Sequence, residues 1–393
     1  MKIISINAGS SSLKFSLFDM DNKTCIASGY FERVTLPNSF YTIKYNGEKI
    51  KEEVDMPNHT VAVEVLLDRL ISLKIISSLE EIDGVGHRLV HGADKYNKSV
   101  IITDEVIEDL KKYIPLAPLH NPANILGIEA VKKALPNVKM VGVFDTAFHQ
   151  TMDKVNYIYP VPYEWYQDYK VRKYGFHGTS HCYISHQIPR ILKKNTYKAI
   201  ICHLGSGGSL SLVENGKCLD TTMGFTPLAG IMMGTRSGDI DPSIIPYVMS
   251  NTDETIDEVM NDLNKKSGFL GLSGKYSDFR DIYAGVKEND ERCILAFNKY
   301  VDTVVKYIAE YYVEAGGVDL IVFTAGLGEN AIEAREAIVK KLECLGIYLD
   351  KEANLVRGEE IKISSEISKV QVYVIPTNEE LMIAEDTLEL IGE

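Results

Sequence analysis

Twice in this chain, about half its length apart, an apolar strand runs into a small-residue turn and leaves it as a second apolar strand. The first copy reads Lys2 to Ile6, then Asn7-Ala8-Gly9-Ser10-Ser11-Ser12, then Leu13 to Phe18, ending at Asp19. The second reads Ala199 to His203, then Leu204-Gly205-Ser206-Gly207-Gly208, then Ser209 to Val213, ending at Glu214-Asn215-Gly216. Laying Gly9 on Gly205 puts Ser10 over Ser206 with apolar runs on both sides. Such self-similarity predicts a duplicated α/β unit, one per domain. Gly/Ser hairpins are common, however, and two can arise by chance, so the repeat does not stand alone.

Those segments alternate between helix and strand patterns. Thr60 to Ile71 places Val61, Val65, Leu66 and Leu70 at helical spacing, and Asn124 to Ala134 does the same with Ile125, Ile128 and Val131. Pro136 and Asn137 close the second helix, and Met140 to Phe144 reads as a buried strand ending at Asp145. Farther on, a long amphipathic helix from Ile294 to Ala315 is halted by Gly316-Gly317. The strand Leu320 to Phe323 then enters a third small-residue turn, Thr324 to Asn330. Alternation of this kind predicts the α/β class. A length of 393 residues predicts two domains, with a boundary near residue 150.

Composition narrows the setting. Hydrophobic residues at 45% and charged residues at 25% are ordinary for a soluble globular protein. A net charge of −13 without a long Lys/Arg run disfavours a nucleic-acid or anionic-membrane surface, while leaving room for a small anion. Six cysteines, none in C-x-x-C spacing, fit free thiols in a reducing compartment better than disulfides or zinc. The opening apolar run is too short for a secretory leader, and no stretch reaches membrane-spanning length. The expected location is the cytoplasm, with no nucleic-acid or membrane partner.

Chemistry is expected at the turns. Glycine lets backbone N–H groups converge on an anion, so Asn7 to Ser12, Gly205 to Ser209 and Gly326 to Asn330 are candidate phosphate nests, with Ser hydroxyls and Lys14 as further donors. Gly9 to Lys14 lacks the second glycine and the Ser/Thr of a Walker loop, and the protein-kinase signatures are missing, so a nucleotide would be held on another scaffold. Three segments carry fixed positive groups: His87-Arg88-Leu89-Val90-His91, Gly234-Thr235-Arg236-Ser237-Gly238 and Phe176-His177-Gly178-Thr179-Ser180-His181. Phosphoryl transfer asks a protein for in-line positioning and positive charge, and arginine's planar fork suits both phosphate and carboxylate. A single arginine is ordinarily a surface ion-pair partner. Arg236, in a small-residue loop, reads as a presented side chain, whereas local context leaves Arg88 open. The His87/His91 and His177/His181 pairs lack the Glu of H-E-x-x-H, which favours hydrogen-bonding roles over zinc. Asp145 and Glu379 follow strand ends, where carboxylates commonly face a ligand crevice. Glu380 reads as a first-turn helix acid behind a Thr377 or Asn378 cap, while for Glu379 that role and magnesium binding can coexist.

Taken together these segments resemble the acetate kinase family, within the acetate and sugar kinase/actin-like superfold. The most specific matches are IISINAGSSSLK from Ile3 and KYGFHGTSH from Lys173. GHRLVHG, LAPLHNP, VFDTAFHQT, MGFTPL, MGTRSGDIDP, SDFRD, FTAGLGEN and IPTNEE occur in order along the rest of the chain. The resemblance implies two duplicated ribonuclease-H-like domains with a cleft between them. Residues 1–148, completed by a helix at 381–393, would form the first; residues 149–380 would form the second, which binds nucleotide and supplies a homodimer interface.

The resemblance also implies an activity, reversible transfer of the ATP γ-phosphoryl group to acetate, giving acetyl phosphate and ADP, with Mg2+ or alternatively Mn2+. Asn7 and Glu379 would serve the metal. Lys14, Ser10 and Ser12 would hold phosphates. Arg88 would bind the carboxylate, Asp145 would be the catalytic acidic residue, and His177 and Arg236 would stabilise the transferring group. His203, Leu204, Gly205, Ser206, Gly207, Asp278, Phe279, Arg280, Gly326, Leu327, Gly328, Glu329 and Asn330 would surround the nucleotide. Val90, Leu119, Phe176 and Pro227 would form the slot for the acyl methyl, with His120 beside the substrate. One methylene is worth only about 1–3 kcal/mol in such a slot, which makes propionate kinase the nearest rival. An actin-like nucleotide switch and an acyl-phosphate or phosphate-ester hydrolase are the alternatives from other classes. Two departures stand out: Ser206 where the family's HLGNG has Asn, and Ala93 where its HGG ends in Gly.

Overall fold

The computed structural model describes residues 1–118 and 120–392. The chain separates into two compact units. The first comprises Met1–Gln150, Gly178–Ser180 and the segment from Asn378 on; the second comprises Thr151–His177 and His181–Thr377.

In the first unit, β1 (Lys2–Gly9), β2 (Ser12–Asp19), β3 (Thr24–Glu32), β4 (Phe40–Tyr45), β5 (Glu48–Glu53), β6 (Ile82–Leu89), β7 (Val100–Ile101) and β8 (Lys139–Phe144) form one sheet in the order β5-β4-β3-β2-β1-β6-β8-β7. β1 pairs antiparallel with β2 and parallel with β6, which in turn runs parallel to β8. The middle strands β1, β6 and β8 are buried at most positions because both faces are covered. On one face Phe15, Val85 and Leu89 pack with Leu66 and Leu70 of the helix His59–Ser72 and Ile128 and Val131 of the helix Asn121–Ala134. On the other, Ile3, Phe18, Val141 and Val143 pack with Ile383, Ala384 and Ile391 of the helix Glu379–Gly392. That helix comes close because β6 carries glycines beneath it. A Cβ on Gly84 would lie 2.6 Å from Ile391 Cδ1, and one on Gly86 would lie 2.5 Å from Ile383 Cγ2.

The second unit repeats the plan. β9 (Lys198–Leu204), β10 (Gly208–Glu214), β11 (Lys217–Thr221), β12 (Leu320–Thr324), β13 (Ile361–Lys362) and β14 (Gln371–Val374) are ordered β11-β10-β9-β12-β14-β13. An antiparallel β9–β10 hairpin is again followed by parallel β9–β12 and β12–β14 pairs. Thus β3-β2-β1-β6-β8 and β11-β10-β9-β12-β14 are the same five-strand order: the repeated hairpin marks a duplicated α/β unit, in the ribonuclease-H-like arrangement that the resemblance implies. The helix Glu291–Glu314 opens on Asp290, whose carboxylate accepts from the N–H groups of Arg292 and Cys293. It buries Ala296, Tyr300, Val304 and Ile308 against Ile200, Leu210 and Phe323. It ends where Gly316 and Gly317 take φ of +66° and +102°.

Two local expectations change. Asn7, Ala8 and Gly9 continue β1, with Asn7 paired to Lys14, so the first turn shrinks to Ser10-Ser11. Thr324 to Asn330 is not a turn: Ala325–Asn330 forms a short helix directly after β12. Among the described residues, no helix is long and apolar enough to cross a membrane, and all six cysteines are free thiols.

Candidate active site

In the first unit the adjacent parallel strands β6 and β8 carry Arg88 and Asp145 to the same edge, since Asp145 N–H donates to Leu89 O at 2.8 Å. Arg88 then grips Asp145 in fork geometry, Nε to Oδ1 at 3.1 Å and Nη2 to Oδ2 at 2.5 Å. Asp145 is buried, and its charge is the main reason the Arg88 pKa is raised. Two residues that sequence reading missed hold Asp145 in place. Gly178 N–H donates to its carbonyl at 2.9 Å, and Thr179 Oγ1 donates to its Oδ1 at 3.4 Å. Any side chain on Gly178 would overlap the Asp145 carbonyl, the physical reason for glycine after His177.

Glu379 begins the C-terminal helix, and Asn378 caps it by accepting from Leu381 N–H at 3.0 Å. A small cavity is lined by Asn7, Lys14, Arg88, Glu379 and Glu380. Burial pushes the Glu379 carboxyl up to about 7; Arg88 opposes this, while Asp145 and Glu380 add to it. A carboxyl crowded by two others, with the Asn7 amide lining the same cavity, is a donor set suited to a hard dication. No group of three or more His, Cys, Asp or Glu side chains is placed to hold a metal among the described residues. Glu380 sits in the first turn of that helix, as expected, and is also the ion-pair partner of Lys14. Ser10 and Ser12 are exposed at the hairpin tip. Val90 is buried, its N–H bound at 3.0 Å by Asn124 Oδ1, while Asn124 Nδ2 reaches Ala8 O at 3.0 Å. His120 is exposed, and Leu119 lies outside the described residues. Ala93, in the family's glycine position, holds φ at +53°.

In the second unit the β9–β10 turn, Gly205-Ser206-Gly207, is closed by Gly205 N–H to Gly207 O at 3.0 Å. The Arg236 guanidinium lies against it: a Cβ on Gly207 would sit 2.6 Å from Nη2. Arg236 Nη1 donates to Pro227 O at 2.8 Å, and burial alone lowers its pKa. His177 occupies the left-handed region, φ 57° and ψ 24°, just before the helix Gly178–Leu192. Its ring stacks on His203 at 4.2 Å, and its Nδ1 is 2.9 Å from Ser209 Oγ. Phe176 beside it is buried.

A cavity of about 620 Å³ opens from that same turn. Gly205, Ser206, Asp278, Phe279, Arg280, Gly326, Leu327 and Asn330 line it, as does Tyr283, whose ring is 6.2 Å from that of Phe279. Asp278 caps its helix and pairs with Arg280 at 2.7 Å. Other expected nucleotide contacts point elsewhere. Leu204 is in the core, His203 faces His177, and Gly207 faces Arg236. Glu329 accepts from Thr377 N–H at 3.0 Å, and the carbonyl of Gly328 is held by Arg335 Nη1 at 2.9 Å. Arg335 and Arg357 were not anticipated. Arg335 is fully buried and also donates to Asn354 Oδ1, Asn354 O and Val356 O at 2.8 Å each. It thereby fixes the segment from which Arg357 reaches the cavity wall.

Fold and comparisons together define a kinase, a phosphotransferase whose acceptor is a carboxyl group. The model of the acetokinase family matches residues 2–385, and the chain belongs to that family. It is 54% identical over 391 residues to the acetate kinase of Bacillus velezensis, covering 99% of each chain. The crystal structure of Porphyromonas gingivalis acetate kinase superposes with a TM-score of 0.95 at 46% identity, covering 99% of each chain. A propionate kinase from Francisella tularensis superposes with a TM-score of 0.94 at 41% identity, again over 99% of each.

Proposed function

We propose that this protein transfers the γ-phosphoryl group of ATP to acetate, reversibly and by direct in-line displacement, giving acetyl phosphate and ADP. The observation that carries this reading is the second unit's cavity, which begins at the turn against which the Arg236 guanidinium lies. A base seated among Phe279, Tyr283 and Leu327 would run its phosphates toward Gly205-Ser206 and Arg236. Acetate is already ionised at neutral pH, so no side chain has to remove a proton from it. Arg88 is the residue to take the carboxylate, by exchanging part of its fork from Asp145 to substrate. His177 and Arg236 donate to the oxygens of the transferring group, where negative charge shifts during transfer. Asn7 and Glu379 would hold Mg2+, or Mn2+ in its place, which when bound offsets phosphate charge. Asp145 keeps Arg88 oriented and adds to the negative field around Glu379.

Val90, Leu119, Phe176 and Pro227 are the proposed slot for the acyl methyl, with His120 nearby. The full-length likeness to a propionate kinase supports a second reading in which the slot also admits propionate. We place the protein in the cytoplasm as a homodimer joined through its second unit. A coupled ADP assay with ATP and Mg2+ across acetate, propionate and butyrate tests the proposal. Acetate-dependent ADP formation, falling with chain length, is expected. ADP release indifferent to carboxylate would instead mark a nucleotide switch, and phosphate release without ADP would mark a hydrolase.

A further inference from the structure

Ser209 stands on β10 directly across from His203 on β9 and is fully buried. Its single hydroxyl lies between two imidazoles, 2.9 Å from His177 Nδ1 and 2.8 Å from His181 Nε2. The i,i+4 spacing brings both rings over one point, because His177 immediately precedes the helix on which His181 sits. His177 is the member under constraint. A β-carbon-bearing residue at φ 57° is disfavoured and persists where its surroundings hold it. Here His203 holds the ring by its face and Ser209 holds it by its edge.

A hydroxyl has one proton, so Oγ–H can donate to one of the two ring nitrogens, and the other contact needs an N–H from its own ring. The protonation of the two histidines is therefore linked through this one oxygen. We propose that Ser209 is a positioning residue for phosphoryl transfer: it orients the His177 imidazole and couples its protonation to that of His181. Two arrangements leave His177 with the Nε2–H that a phosphoryl oxygen requires. In one, His181 Nε2–H donates to Ser209, and Ser209 O–H donates to the bare Nδ1 of a neutral His177. In the other, both nitrogens of an imidazolium His177 carry protons, Nδ1–H donates to Ser209, and Ser209 donates to the bare Nε2 of His181. One arrangement becomes the other by two concerted proton shifts, His181 to Ser209 and Ser209 to His177, when His181 enters with a positive charge. Nothing else is gained or lost. This inference rests on the proposed role of His177, and Ser209 itself touches no reacting atom.

The test is a double-mutant cycle on the full-length protein, read as kcat and KM for both substrates. Ser209→Ala is expected to lower kcat about 10- to 100-fold, taking as scale the loss seen when a metal-binding histidine loses its orienting partner, with both KM values little changed. Ser209→Thr, which keeps the hydroxyl, is expected to recover most of the loss. In a His177→Ala background, Ser209→Ala should cost nothing further, because its effect passes through the missing ring. An equal loss in both backgrounds, or failure of threonine to rescue while the fold and KM values stay normal, overturns the proposal. Normal turnover of His177→Ala would overturn the reading of His177 itself, which keeps the two failures apart. Ring 15N shifts give an independent check: His177 and His181 should titrate together in the native protein and separately in Ser209→Ala.

Discussion

The two units share a five-strand order and a hairpin, yet they present their cations in opposite ways. In the first unit the arginine and the lysine are both satisfied by carboxylates, Arg88 by Asp145 and Lys14 by Glu380. In the second, Arg236 donates to a carbonyl, and burial alone shifts its pKa. A guanidinium held by a peptide carbonyl keeps most of its charge available to a ligand, whereas a fork-bound one is largely neutralised until a ligand displaces its partner. The difference also follows the hairpins. Ser10-Ser11 closes the first tightly, whereas Gly205-Ser206-Gly207 adds a residue and opens on a cavity of about 620 Å³. One scaffold, duplicated, thus offers an acid-rich corner suited to a metal and an acceptor, and a roomy pocket suited to a nucleotide.

The same truncation in each unit is the sharpest way to break this comparison. Arg88→Ala leaves Asp145 buried without its partner, and breaking such a pair typically costs about 3–5 kcal/mol. A clear fall in melting temperature is expected, along with a raised KM for acetate. The double change Arg88→Ala, Asp145→Ala should recover much of the stability and none of the acetate affinity. Arg236→Ala should instead leave melting nearly unchanged and lower kcat about 10²–10³-fold, the scale for removing one preorganised charge donor. If it melts like Arg88→Ala, the contrast between the two arginines is wrong.

Glu379 gives a pH-dependent version of the contrast. Its folded pKa of about 7 lies above the ordinary carboxyl value, so the metal-free protein gains stability from the neutral form at acid pH. That gain is complete below the ordinary carboxyl range and is lost as pH rises through 7. The loss is on the order of 3 kcal/mol, and calorimetry from pH 5 to 8 should show it as a falling melting temperature. Glu379→Gln should flatten this slope; an unchanged slope would assign it to other groups. Gly207→Ala in the second unit should push the Arg236 fork off its seat and reduce kcat about tenfold, with a smaller effect on nucleotide KM. Smallest of all, Ala93→Gly relieves a left-handed alanine and should raise stability by no more than about 1 kcal/mol, readable in urea.

Much of the fold was legible because strands such as Met140 to Phe144 and Leu320 to Phe323 are covered on both faces and read as apolar runs, whereas β6, interrupted by Asp83, His87 and Arg88, did not. Strand ends were less so. Asn7 to Gly9 look like turn residues, but the ladder to β2 carries them, and a small-residue composition says nothing about how far a pairing extends. The small residues Thr324 to Asn330 misled in the same way. There the buried Arg335 binds the Gly328 carbonyl, an interaction across seven residues that local propensity does not express. Arg335 itself looks like a surface residue between Glu333 and Glu336. The available signal was helical spacing, since it precedes Val339 by four positions and Val339 is buried. Arg88 and Asp145 were each named as candidates, but not as a pair. Their meeting depends on β6 and β8 being neighbours, a property of the sheet order that neither segment states alone.

The helix that begins at Glu379 has a consequence for how the protein comes into being. It roofs one face of the first unit's sheet, yet it follows the whole second unit in chain order. A ribosome therefore releases the first unit with Ile3, Phe18, Val141 and Val143 uncovered, and they stay so until the second unit has been made. Over that interval the nascent chain lacks Glu379 and displays a greasy sheet face, an opening for chaperones or for clumping with other unfinished copies.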